Sequence, residues 1–97
     1  MKLITKEIEK KLPALYETED VALQDKKLVV KFFDPCGCWT WYGVEYDAEQ
    51  ELFFGYVEGY EKEWGYFSLA ELKSVKNKLG IGIERDMYFD EIKFSEL

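Results

Sequence analysis

Apolar and polar positions alternate through most of residues 27–67, and a period of two belongs to strands rather than helices. Residues 27–34 are rich in β-formers (Leu28-Val29-Val30, then Phe32-Phe33) and predict a first strand. Pro35-Cys36-Gly37-Cys38 is turn chemistry. Residues 39–47 predict a second strand. Regular alternation there puts Thr40, Tyr42, Val44 and Tyr46 on one face and Trp39, Trp41, Gly43 and Glu45 on the other. Residues 48–51 make the next turn and residues 52–60 a third strand. Residues 61–63 lead into a short fourth strand over residues 64–67. Links this short favour neighbouring antiparallel strands, a meander.

The period changes at both ends of this run. Thr5 can cap a short helix that carries Ile8 and Leu12 on one face, and Pro13 ends it. Residues 17–25 are polar and acidic, a loop expected to be the most mobile segment. Ser68 and Glu71 have capping-box spacing, followed by an apolar stripe of Leu69, Leu72 and Val75. Residues 77–82 stop that helix. Residues 83–89 read as an extended segment or fifth strand. The last eight positions hold Ile92, Phe94 and Leu97, so the tail is expected to dock. The expected fold is one α+β domain over residues 1–97. It has a mainly antiparallel four- to five-stranded meander sheet, a short N-terminal helix and one helix after strand 4. Phe32, Tyr42, Val44, Phe54, Phe67, Leu69 and Leu72 are its expected core, with Trp41 the doubtful member.

A chain of 97 residues has a modest core, and its 18% aromatic content supplies the area that size withholds. Charge narrows the choice of partner. The net −7 lies wholly beyond residue 38, and residues 45–63 hold seven acids against Lys62 alone. Phosphate backbones need clustered Lys and Arg, so direct nucleic-acid binding is not expected, whereas a basic protein surface fits. No apolar run approaches a membrane span, and Met1-Lys2-Leu3-Ile4-Thr5-Lys6 lacks the apolar region of a signal peptide. The expected location is cytoplasmic. No histidine is present, which removes the commonest general acid–base near neutral pH. With only Cys36 and Cys38 as soft ligands, neither a tightly bound metal nor a cofactor is expected, and their one-residue spacing disfavours a disulfide between them.

Several ordered motifs carry a resemblance. They are Leu12-Pro13-x-Leu15-Tyr16, Lys31-Phe32-Phe33, Trp39-Thr40-Trp41-Tyr42, Glu45-Tyr46-Asp47, Phe53-Phe54-Gly55, Gly65-Tyr66-Phe67-Ser68-Leu69-x-Glu71-Leu72 and Ile83-Glu84-Arg85-Asp86. Together the pattern resembles the domain of unknown function 2958 family, and it covers nearly the whole chain. The resemblance implies a small bacterial cytoplasmic protein of plasmids, conjugative elements or phage-like islands. It implies no catalytic residue. Cys36-Gly37-Cys38 is not part of it.

Two sets of residues are candidates for function. In the first, Trp39, Trp41 and Glu45 share the second face of their strand under strict alternation, and Arg85 with Asp86 supplies a lone arginine beside an acid. Aromatic faces and a carboxylate suit a cationic or aromatic ligand, and an arginine suits a carboxylate or phosphate. The same Trp pair also reads as core under the helix that starts at Ser68, and Arg85 as a structural ion-pair hub. The second set is the acidic series Glu49, Glu51, Glu58, Glu61 and Glu63, expected to form one negative patch, or else to act only as a solubilising surface. The expected function is therefore a non-enzymatic interaction or accessory protein that engages a basic partner. The alternative is a small-ligand-binding module or small enzyme using Trp39, Trp41, Glu45 and Arg85.

Overall fold

The structure is a computed structural model and describes residues 2–97, so Met1 of the opening run lies outside it. Among the described residues, five strands form one antiparallel sheet: β2 (Val30–Phe33), β3 (Thr40–Asp47), β4 (Leu52–Glu58), β5 (Lys62–Ser68) and β6 (Glu84–Arg85), in the order β5-β4-β3-β2-β6. The expected meander is its body. The segment expected to be one strand over residues 27–34 divides. Its first part, β1 (Lys27–Leu28), leaves the sheet and pairs with β7 (Ile92–Lys93) from the tail. The expected fifth strand is shorter than its run of residues, because only Glu84 and Arg85 pair with β2.

Helix α1 (Lys6–Lys11) starts where Thr5 Oγ1 accepts from the Ile8 N–H at 3.2 Å. Helix α2 (Leu69–Ser74) starts at Ser68, whose Oγ accepts from the Glu71 N–H at 3.2 Å. Both helices are short and depend on packing rather than propensity. Residues from both helices, with Leu3 and Ile83, cover one face of the sheet over Val30, Phe32, Tyr46, Phe53 and Phe67. The tail and β1 cover the other face, where Leu28, Tyr42, Val44 and Tyr56 meet Trp64, Phe89, Ile92 and Phe94. The tail thus docks as expected through Ile92 and Phe94, while Leu97 stays half exposed.

One residue of β3 breaks the expected alternation. Gly43 pairs with Gly55, but the next pair is Glu45 with Phe54, so Val44 is an inserted bulge residue. Beyond it, side chains change face. Glu45 moves to the face of Tyr42 and Val44, and Tyr46 moves to the face of Trp41. Phe54, expected in the core, points to the other face from the helices and is only half buried, and Phe53 takes the fully buried place. The bulge also presses the Tyr42 carbonyl toward β4. A Cβ at Gly55 would lie 1.8 Å from the Tyr42 oxygen, whereas one at Gly65 would meet nothing within 4 Å. Gly55→Ala should therefore lose about 1–3 kcal/mol or more, and Gly65→Ala should be neutral or gain about 0.5 kcal/mol. Thermal melts of the two variants check this. Equal melting temperatures would contradict the bulge geometry.

Candidate functional site

The bulge separates the residues that strict alternation groups together. Trp39 and Trp41 stay on the helix-covered face and stack on each other, with ring centroids 5.8 Å apart and planes 28° from parallel. Trp41 is partly buried against the main core. Trp39 lies flat over Gly59, where a Cβ would fall 2.3 Å from its ring, and Tyr60 meets it edge-on at 5.4 Å. Tyr60 is 95% exposed, so this aromatic stack opens to solvent at one end of the sheet. Arg85 shares the face but stands two strands from Trp41, with Phe32 between them in register. Its guanidinium donates to the Lys2 carbonyl at 2.6 Å and ties the N-terminal segment to β6. Asp86 lies 3.8 Å from the Lys31 ammonium. The structure does not bring Trp39, Trp41, Glu45 and Arg85 to one pocket.

The acidic series is also divided. Glu49 and Glu51 belong to the β3–β4 turn, where Asp47 accepts from the Glu49 N–H at 3.0 Å and Glu51 pairs with Lys73 at 3.7 Å. Glu58, Glu61 and Glu63 lie at the β4–β5 hairpin, one β4 length away, which is about 20 Å at ~3.3 Å per residue. One continuous patch is therefore not formed. Of the hairpin group, Glu63 shares the face of the aromatic stack, since the register aligns Trp41, Val57 and Glu63, whereas Glu58 lies on the face of Tyr42. Glu58 holds Lys62 at 3.7 Å and accepts from the Tyr42 hydroxyl at 3.4 Å. Burial, then the charge of Glu58 and that hydrogen bond, push Tyr42 up to about 12.

Glu45 is buried, and its partners are Thr18, from the segment expected to be the most mobile, and Tyr16 just ahead of it. Its Oε1 accepts from the Tyr16 N–H at 2.8 Å. Its Oε2 accepts from the Thr18 N–H at 3.0 Å and from the Thr18 hydroxyl. Lys26, only 6% exposed, donates to the Thr18 carbonyl at 2.5 Å and to its hydroxyl oxygen at 2.8 Å. The Lys26 ammonium also stands 5.9 Å from the centre of the Phe54 ring. Thr18 thus links a buried carboxylate to a buried ammonium, so that each charge is matched nearby. Tyr16 takes the left-handed backbone conformation, with φ of 71°, which costs a non-glycine residue of order 1–3 kcal/mol and is held here by Glu45.

Beside this network lies a cleft of about 260 Å³ lined by Tyr16, Glu19, Lys26, Glu45, Phe54 and Tyr66. A hydrogen bond between the Tyr66 and Tyr16 side chains, with burial a smaller cause, raises the Tyr66 pKa. Tyr16, Glu45, Phe54 and Tyr66 belong to four of the separated sequence motifs, and only the fold unites them. Sequence reading missed Thr18 and Lys26. A threonine in a polar loop and a lysine ahead of a strand carry no signal for burial. Cys36 and Cys38 are free and exposed in the β2–β3 turn, where Asp34 accepts from the Cys36 N–H at 2.9 Å.

Among the described residues, no three of His, Cys, Asp or Glu come together to hold a metal, and no helix is long and apolar enough to cross a membrane. The molecule is a small α+β domain whose two sheet faces each carry a solvent-open aromatic feature. The chain belongs to the family described as protein of unknown function (DUF2958), which it matches over residues 3–95. No curated protein and no solved structure matches it significantly.

Proposed function

We propose that this chain is a non-enzymatic interaction module that engages a basic segment of a partner protein. In the setting that the family resemblance implies, it acts in the cytoplasm as an accessory factor of a plasmid, conjugative element or phage. The observation that carries the reading is the stack of Trp39 and Trp41 capped by the 95% exposed Tyr60. Lysine and arginine favour aromatic faces by about 0.5–1 kcal/mol when exposed and ~2 or more when desolvated. Glu61 and Glu63 flank the stack and are exposed, so Coulomb attraction and ring contact act on the same incoming cation. Tyrosine and tryptophan held this way lose little entropy on binding, as interface anchors do.

The test is capture of partners by the wild-type chain and by Tyr60→Ala and Glu61→Lys/Glu63→Lys variants, at low and high salt. Tyr60 makes no core contact, so its removal leaves the fold intact. Binding is expected to weaken as salt rises, to fall in both variants and to associate more slowly in the charge-reversed one. Salt-insensitive capture, capture untouched by the variants, or tight binding of the isolated chain to DNA or RNA would overturn the proposal.

A further inference from the structure

The cleft at Glu45 is on the opposite face of the sheet from the Trp39 stack and has chemistry of its own. Three of its six lining residues, Tyr16, Phe54 and Tyr66, are aromatic. Two more, Glu19 and Glu45, are carboxylates, against the single ammonium of Lys26. Thr18 bridges Lys26 and Glu45 through hydrogen bonds, and their opposite charges balance within the lining. Glu19 is then the uncompensated charge, and the lining is negative by one. Lys26 has two of its three protons committed to Thr18 and its charge directed at the Phe54 ring, so it offers little to an anion. Glu45 Oε1 accepts one hydrogen bond, from Tyr16, where a carboxylate oxygen has room for two. Aromatic walls, a net negative lining and a free acceptor position select a donor cation with an apolar stem.

We infer that this cleft is a recognition site for one alkylammonium group. Tyr16 and Tyr66 form the walls and Phe54 the floor for the alkyl stem. Glu19 and the open position on Glu45 take the ammonium protons. Glu45 also sets the walls, because its bond to the Tyr16 N–H holds that residue in its left-handed conformation. The volume of about 260 Å³ suits a small amine or a single side chain rather than a larger ligand. Two sources have this chemistry, a free amine and a lysine side chain of another protein.

The experiment is a titration of the isotopically labelled chain, followed by amide NMR shifts, with n-butylammonium and with butyrate as the control of equal size and opposite charge. Saturable shifts at Tyr16, Thr18 and Tyr66 are expected with the amine, with a dissociation constant on the order of 1 mM or tighter, and none with butyrate. Glu19→Gln and Tyr66→Ala, both at exposed positions, should each weaken binding by about tenfold. Tyr60→Ala should leave it unchanged, which keeps this result separate from that of the aromatic stack. A short peptide with one central lysine is the second probe. Binding about tenfold tighter than the free amine assigns a protein side chain as the source, and equal binding assigns a small amine. No saturable shift with either probe, equal shifts with butyrate, or full affinity in Glu19→Gln would overturn the inference.

Discussion

Glu45→Ala should destabilise the chain by about 3–5 kcal/mol, because it leaves the buried ammonium of Lys26 without its counter-charge. The change also strips the acceptor from the Tyr16 and Thr18 N–H groups and from the Thr18 hydroxyl. Each donor left unpaired adds its own desolvation cost. With that anchor gone, nothing holds Tyr16 at its positive φ, and residues 14–20 should relax. Urea unfolding measures the loss, and hydrogen exchange at the Thr18 amide measures the release. Adding Lys26→Met to Glu45→Ala should recover part of the stability, since it removes the orphaned charge but keeps the apolar stem. A loss below about 1 kcal/mol, or no recovery in the double variant, would mean that the two charges are not coupled.

That network shows what could and could not be read from the sequence. Strand positions in residues 39–68 follow from alternation and turn residues, and the helix starts follow from Thr5 and Ser68, because both signals are local. The bulge at Val44 is a different kind of feature. Gly43 inside a strand can mark a bulge or a close approach, but Gly55, Gly59 and Gly65 carry the same signal, and Val44 fits the alternation either way. Its consequence is long-range, because a single extra residue inverts the face of everything beyond it on β3. Strict alternation therefore puts Glu45 beside Trp41, whereas its partners lie across the sheet. The acidic series failed as one patch for a related reason. Proximity in sequence becomes distance when a strand runs between the turns, so Glu51 and Glu61 end at opposite ends of β4. The aromatic stack was half legible. Trp39 and Trp41 share a face as alternation requires, but Tyr60 reaches them only through the β4–β5 hairpin and the missing side chain at Gly59.

Alternation along β4 itself puts two adjacent phenylalanines on opposite faces, and the two faces are packed differently. Phe53→Ala should cost about 3–5 kcal/mol, near the top of the range for a buried aromatic. Phe53 is fully buried, and its ring centre lies 4.4 Å from that of Tyr46, 5.0 Å from Phe67 and 5.4 Å from Phe32. Those neighbours belong to three strands, so they cannot close together over the space without moving the sheet. Its ring also fills the space above Gly43, where an added Cβ would lie 2.9 Å from Phe53. Truncation would therefore open a cavity against a backbone that has no side chain to fill it. Phe54→Ala should cost clearly less, about half as much, because the ring is half buried and loses mainly its contacts with Tyr66 at 5.3 Å and Trp64 at 5.8 Å. Chemical denaturation of the two variants under identical conditions separates the cases. If Phe54→Ala proved the more damaging, the placing of Phe53 in the helix-covered core and of Phe54 on the more open face would be wrong.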